Sequence, residues 1–126
     1  RYCRTDEHVP PGGGPGAKRH DFEGAFTVLE GEIETTFRGK KATGRTGETG
    51  SIPASAPHEF HNKSKQAARL LCICSPAGQE EFFLEVGQRV ATRTTKSPKP
   101  DEATQAAFIA KAEALAHKYR TELLKP

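Results

Sequence analysis

The stretch of sequence that decides the fold is GETGSIPASAPHEFHN, residues 47–62. Its pattern predicts a tight turn, a short strand, a turn bounded by two prolines, and a second strand that begins at His58. Pro53 and Pro57 fix the backbone on either side of the second turn, so His58 enters its strand at a set angle. Because side chains alternate between the two faces of a strand, His58 and Phe60 share one face.

The residues upstream of this stretch predict further strands separated by loops. Residues 1–9 form a short strand of mixed polarity, and the glycine- and proline-rich residues 10–16 form a loop. A long β run over residues 25–37 follows, interrupted at Gly31 by a turn or a bulge. Residues 38–41 then connect two strands as a hairpin.

The most apolar strand of the chain is predicted over residues 67–75. Leu70, Cys72 and Cys74 lie on one of its faces, and Leu71 and Ile73 on the other. A strand that is apolar on both faces is expected to be buried on both. Short strands separated by turn signals at this spacing predict an all-β sandwich or barrel.

The pattern changes after residue 76, where helix and linker signals replace the strands. We predict a short helix over residues 77–86 that ends at Gly87, and a linker or surface arm over residues 88–100. Asp101 is positioned to cap a last helix, which carries an apolar stripe formed by Phe108, Ala112, Leu115 and Tyr119. The chain therefore divides into a β domain, 1–87, and a C-terminal arm and helix, 88–126, that pack on the barrel or on a partner subunit.

Composition narrows the possible functions. The chain has 126 residues and a formal net charge of +3 with both signs mixed along it, which does not resemble the clustered basic face of a nucleic-acid-binding protein. It contains no apolar run of the length needed to cross a membrane. Three irregularly spaced cysteines do not form a disulfide framework, which favours a reducing, cytoplasmic location.

The stretch over 47–62 resembles the second motif of the cupin superfamily, G-x5-P-x-G-x2-H-x3-N. Gly47, Pro53, His58 and Asn62 are in register, and Ser55 replaces the usual glycine. The closest likeness is to small single-domain cupins described as quercetin-dioxygenase-like. This resemblance implies a jelly-roll barrel (a double-stranded β-helix), to which a short helix and a C-terminal helix are appended.

The family's first motif, G-x5-H-x-H-x3-E-x6-G, is matched only in part. Gly12, His20 and Gly31 are in register, but Lys18 stands at the position of the first histidine and Gly24 at that of the glutamate. The family typically holds a divalent metal through three histidines and a carboxylate. This chain supplies two of those four ligands, and the positive charge of Lys18 opposes a metal ion.

The resemblance leaves three hypotheses for function. The first is a metal-free cupin that binds a small organic ligand, for which an anion is favoured, in a barrel lined by Lys18, His20, Phe26, Val28, His58 and Phe60. The second is a metal-dependent enzyme of the dioxygenase or isomerase type, in which His20, His58 and Glu23 hold a zinc, iron, manganese or nickel ion. Glu23 reaches inward only if a bulge precedes Gly24. The third is a module that acts through dimerisation. We expect no cofactor under the first hypothesis, and a homodimer under all three.

Overall fold

The structure is a computed structural model that describes residues 1–96 and 100–125. Two antiparallel sheets form most of it, and two helices and a 3-10 turn follow the first eight strands. The strands are β1 (Cys3–Val9), β2 (Lys18–His20), β3 (Glu23–Glu30), β4 (Glu32–Phe37), β5 (Lys40–Arg45), β6 (Thr49–Ile52), β7 (His58–His61), β8 (Ala68–Ser75) and β9 (Thr121–Leu123). The helices are α1 (Gln79–Val86) and α2 (Glu102–Ala116), and the 3-10 turn is His117–Tyr119.

The two sheets pack face to face as an all-β jelly-roll barrel. One sheet has the order β1-β8-β3-β6 and the other the order β5-β4-β7-β2-β9. Gly31, with a φ of 74°, ends β3 and lets the chain cross from the first sheet to the second. The inward-facing side chains of both sheets form a main core, which consists of Val9, Phe26, Val28, Ile33, Phe60, Ala68, Leu70 and Cys72, and a second cluster consists of Cys3, Phe22 and Cys74.

Most predicted elements are present where the sequence placed them. The hairpin over residues 38–41 joins β4 to β5, and Asp101 caps α2 by accepting a hydrogen bond from the Thr104 amide. Gly87 ends α1, and its amide donates to the Phe83 carbonyl. Residues 97–99 of the predicted linker lie outside the described residues, and the remainder of that linker contains neither helix nor strand.

Three details differ from the sequence-based predictions. The outer face of β8 is not fully buried, since Ile73 is 39% exposed and Leu71 is half-buried. Helix α1 begins at Gln79 rather than at residue 77. In the predicted stripe of the last helix, Phe108 is 48% exposed, whereas Leu115 and Tyr119 are half-buried. Helix α2 therefore packs on the rest of the molecule mainly through its C-terminal half.

The sequence analysis did not predict strand β9. Its three residues pair with β2, which would otherwise be an edge strand of its sheet. The Asp21 amide donates to the Arg120 carbonyl, and the Leu124 amide donates to the Ala17 carbonyl, so both ends of β2 are tied to the C-terminal segment. The division into 1–87 and 88–126 remains a prediction, although the C-terminal segment contributes a strand to the barrel.

Candidate functional site

A small cavity of about 40 Å³ lies inside the barrel, between the two sheets. Strand β2 brings Lys18 and His20 to it, β7 brings His58 and Phe60, and β3 brings Phe26. Five of the six residues predicted to bind a ligand are thus brought together. Their role in binding remains a prediction, but the strand alternation that placed them on one face agrees with their positions.

Lys18 lies directly opposite His58 in the antiparallel pair of β2 and β7. Its ammonium nitrogen is 5.8 Å from the centre of the Phe60 ring. Burial lowers the pKa of Lys18, and the charge of Glu7 partly opposes that shift. Within residues 1–96 and 100–125, no ion pair of 4.0 Å or less joins Lys18 to a carboxylate.

The His20 imidazole is held on both of its ring nitrogens. Its Nδ1 lies 2.9 Å from Thr121 Oγ1, and its Nε2 lies 3.4 Å from the Gln79 side-chain nitrogen. The ring also stacks on Phe22 with 4.4 Å between the two centres. Burial, followed by the nearby His58 and Lys18, lowers the pKa of His20 to about 3, so the ring is neutral at physiological pH.

The His58 imidazole has one nitrogen fixed and one open. Its Nδ1 donates to the Ala56 carbonyl at 2.9 Å, because a carbonyl oxygen can only accept. In the described residues, every polar side-chain atom that is fully buried has a hydrogen-bond partner. His58 Nε2 has none, so it is not fully buried, and its lone pair is accessible from the cavity. Burial also lowers the pKa of His58, which keeps this ring neutral.

Glu7, Cys72, Cys74 and Gln79 also line the cavity, and the sequence analysis did not assign them to it. The Glu7 carboxylate accepts a hydrogen bond from Thr5 Oγ1 at 3.0 Å. Burial raises the pKa of Cys74 to about 12, so this thiol stays protonated. Only the alternation of side chains along β1 could have assigned Glu7 to the cavity from the sequence. A strand of mixed polarity does not show which of its faces is buried.

Two of the predicted site residues do not reach the cavity. Val28 is 1% exposed and lies in the hydrophobic core rather than on the cavity wall. Glu23 is exposed at the start of β3 and lines a separate groove on the outside of the barrel together with Ser75. No bulge precedes Gly24, since the pairing of β3 with β8 is regular from Glu23 to Val28, so Glu23 keeps its outward direction.

These residues do not fit the metal that the fold suggests. In the part of the chain that the structure describes, no group of three or more His, Cys, Asp or Glu side chains is placed to hold an ion. Mononuclear catalytic sites generally use about three protein ligands, and the Glu7, Cys72 and Cys74 side chains that line the cavity are not placed with the two imidazoles to hold an ion. The Lys18 ammonium adds a charge that repels a divalent cation, and Gly24 contributes no side chain.

Comparison with known proteins agrees with this architecture. The family model for the cupin domain matches residues 5–74, and the chain belongs to this family. A protein from Thermus thermophilus is similar at 27% identity and a TM-score of 0.58, over 60% of this chain and 73% of that one. No curated protein sequence matches the chain at a significant level.

Other solved structures with this fold belong to proteins named for different activities. The polyketide cyclase RemF from Streptomyces resistomycificus is 29% identical with a TM-score of 0.55, over 59% of this chain and 54% of that one. A sugar phosphate isomerase of the cupin superfamily from Silicibacter pomeroyi has a TM-score of 0.58 at 17% identity, over 62% of this chain and 52% of that one. The chain thus spans about half the length of these two proteins, and their activities differ, so the fold alone does not select a reaction.

Proposed function

We propose that this chain is a metal-free cupin that binds a small anionic ligand in its barrel. The observation that carries the proposal is the position of Lys18, whose ammonium lies in the cavity without a carboxylate at ion-pair distance among the described residues. A cation taken out of water without a partner is costly, and an anionic ligand supplies that partner. In this proposal Lys18 provides the positive charge that a metal provides in typical cupins.

The charges around the cavity support an anion over a cation. His20 and His58 are neutral, so Lys18 is the cationic group of the lining residues, and Glu7 offsets part of its charge. At about 4 Å and an effective dielectric constant of about 20, one unit-charge pair is worth roughly 4 kcal/mol before desolvation is subtracted. The attraction to Lys18 therefore offsets part of the cost of removing a carboxylate from water.

The cavity volume limits the size of the ligand. About 40 Å³ accommodates roughly three water-sized groups, far below the roughly 300–1,000 Å³ of a drug-sized pocket. The aromatic walls formed by Phe26 and Phe60 contact each other with their ring centres 4.9 Å apart, so the cavity does not extend further between them. Acids of one or two carbons are the ligands that match this space.

The metal-dependent alternative, a dioxygenase or isomerase that uses His20, His58 and Glu23, is less well supported. It requires Glu23 to turn inward from an exposed position on a regularly paired strand.

The proposal that the chain groups with quercetin-dioxygenase-like cupins rests on the two sequence motifs alone. The proposed cytoplasmic location rests on the cysteines, since Cys3, Cys72 and Cys74 are all free. Within the described residues, no helix is long and apolar enough to span a membrane.

Binding of formate and acetate to the purified protein, measured by NMR titration, tests the proposal. The Lys18→Gln variant removes the charge, and Lys63→Gln serves as the control because Lys63 is exposed and pairs with Glu34 at the surface. We expect Lys18→Gln to weaken carboxylate binding at least about tenfold and Lys63→Gln to leave it unchanged. If neither acid shifts the resonances of cavity residues in the wild-type protein, or if Lys18→Gln binds them equally well, the proposal is wrong.

A further inference from the structure

The hydrogen bonds around His20 determine which of its nitrogens carries the proton. Thr121 Oγ1 lies 3.2 Å from the Tyr119 carbonyl, to which its hydroxyl can donate, and this leaves the oxygen able to accept from His20 Nδ1–H at 2.9 Å. At the other side, the Cys74 thiol donates to Gln79 Oε1 at 2.9 Å, which turns the Gln79 amide nitrogen toward His20 Nε2. Because an amide nitrogen can only donate, His20 Nε2 accepts from Gln79 and the ring proton lies on Nδ1, facing Thr121. His20 is therefore the neutral Nδ1–H tautomer.

His58 is held in the same tautomer by a different partner. Its Nδ1 donates to the Ala56 carbonyl, which leaves the Nε2 lone pair facing the cavity. The two rings lie 5.0 Å apart between centres. The Nε2 lone pair of His20 already accepts from Gln79, whereas that of His58 is open to a ligand. The cavity therefore presents one cation, Lys18, and one open proton acceptor, His58 Nε2.

We infer that the ligand is a small hydroxycarboxylate and that Thr121, in the C-terminal strand, is a positioning residue of the site. The inference rests on the proposed function, because it assigns the carboxylate of the ligand to Lys18. The hydroxyl group of the same ligand donates to His58 Nε2, and this contact distinguishes a hydroxy acid from a plain acid of similar size. Lys18 and His58 are paired across adjacent strands and both line the small cavity that would hold the acid.

Thr121 acts through His20 rather than by touching the ligand. It is 4% exposed and lies directly opposite His20 in the pairing of β9 with β2. Three residue pairs join β2 to β9, whereas a single pair joins β2 to β7. Two ion pairs, Arg19–Glu122 and Arg120–Asp21, lie beside these residues. Strand β9 therefore holds both Lys18 and His20 in place, although it is distant from them in sequence.

The ligand class is tested by comparing glycolate with acetate in NMR titrations of the wild-type protein. The extra hydrogen bond predicts that glycolate binds about tenfold more tightly. If both acids bind equally, the inference fails and the proposed anion site stands. If neither acid binds, the proposed function fails, and the inferred ligand class fails with it.

The role of Thr121 is tested without any ligand, from the ¹⁵N chemical shifts of the imidazoles at neutral pH. We expect both rings in the Nδ1–H form in the wild-type protein. Thr121→Val removes the acceptor of the Nδ1 proton at nearly constant volume and should shift the Nδ1 resonance of His20, but not that of His58, and Thr121→Ser should restore the wild-type spectrum. A His20 ring that is Nε2–H in the wild-type protein, or whose Nδ1 resonance is unchanged in Thr121→Val, would overturn the assignment.

Discussion

Lys18 and its two imidazole neighbours are the residues on which the proposed function depends. Burial lowers the pKa of all three, because each would lose water contacts in its charged form. Their mutual repulsion adds to this shift for His20, which lies near both of the others. Protonation of these three groups is therefore unfavourable in the empty cavity, and a bound anion would raise their pKa values again.

The lowered pKa of His20 predicts a loss of stability in acid. The unfolded chain binds a proton at this residue below about pH 6.5, whereas the folded chain does so only near pH 3, so the free energy of unfolding falls between these values. A single such group contributes a slope of up to about 1.4 kcal/mol per pH unit. We expect His20→Gln to have a shallower acid limb than the wild-type protein in urea unfolding from pH 7 to pH 4.

His61→Gln is the matched control for this pH dependence, because His61 is exposed on the outer face of the same sheet. It should leave the slope unchanged. An acid limb of equal steepness in His20→Gln and in the wild-type protein would show that His20 is not buried in its neutral form.

At the scale of elements, Asn62 connects three segments of the barrel. It is fully buried after the end of β7, and its side-chain nitrogen donates to the carbonyls of Val9 and Gln66 at 3.0 and 2.8 Å. Its Oδ1 accepts from the amide and the hydroxyl of Ser64. The Asn62 side chain thus fixes both the end of β1 and the turn that leads into β8.

Replacement of Asn62 by alanine removes the buried hydrogen bond to the Val9 carbonyl and the part-buried ones to the Gln66 carbonyl and the Ser64 amide, although the Ser64 hydroxyl still donates to Gln66. We expect Asn62→Ala to lower the free energy of unfolding by about 3 kcal/mol in chemical denaturation. Ser64→Ala removes three hydrogen bonds of the Ser64 hydroxyl around this turn while leaving both carbonyls satisfied, and should cost about 1 kcal/mol. Equal stability of Asn62→Ala and the wild-type protein would mean that water replaces these hydrogen bonds.

The sequence predicted the elements that have a clear local signal. The strands around His58, the hairpin at residues 38–41 and the cap at Asp101 follow from turn chemistry and alternation, and all are present. Strand β9 escaped prediction because its three residues carry no apolar alternation, and its pairing partner is about a hundred residues away in the chain. Gln79 and Thr121 escaped for the same reason, since only the folded chain brings them to His20.

At the scale of the whole molecule, we propose that the chain forms a homodimer. Several large apolar side chains remain exposed, among them Leu84 at 76%, Val90 at 53% and Phe108 at 48%, and within residues 1–96 and 100–125 the edge strands β1 and β6 are unpaired on one side. Light scattering after size exclusion at micromolar concentration should give twice the chain mass of 13.7 kDa. A mass of one chain at that concentration would contradict the proposal.

The central claim is that Lys18 takes the place of a metal ion in this barrel. Gly24 has room for a side chain, because a Cβ built there lies no closer than 3.5 Å to its nearest neighbour, the Ile73 carbonyl oxygen. The Lys18→His, Gly24→Glu double variant therefore restores the family's set of three imidazoles and a carboxylate. It should bind close to one transition-metal ion per chain, and it serves as the positive control.

The most direct test is the metal content of the wild-type protein, purified without chelators from metal-supplemented cells and measured by elemental analysis beside the double variant. If Lys18 takes the place of the metal, zinc, iron, manganese and nickel together should fall far below one ion per wild-type chain. About one ion per wild-type chain that is lost in His58→Ala would contradict it.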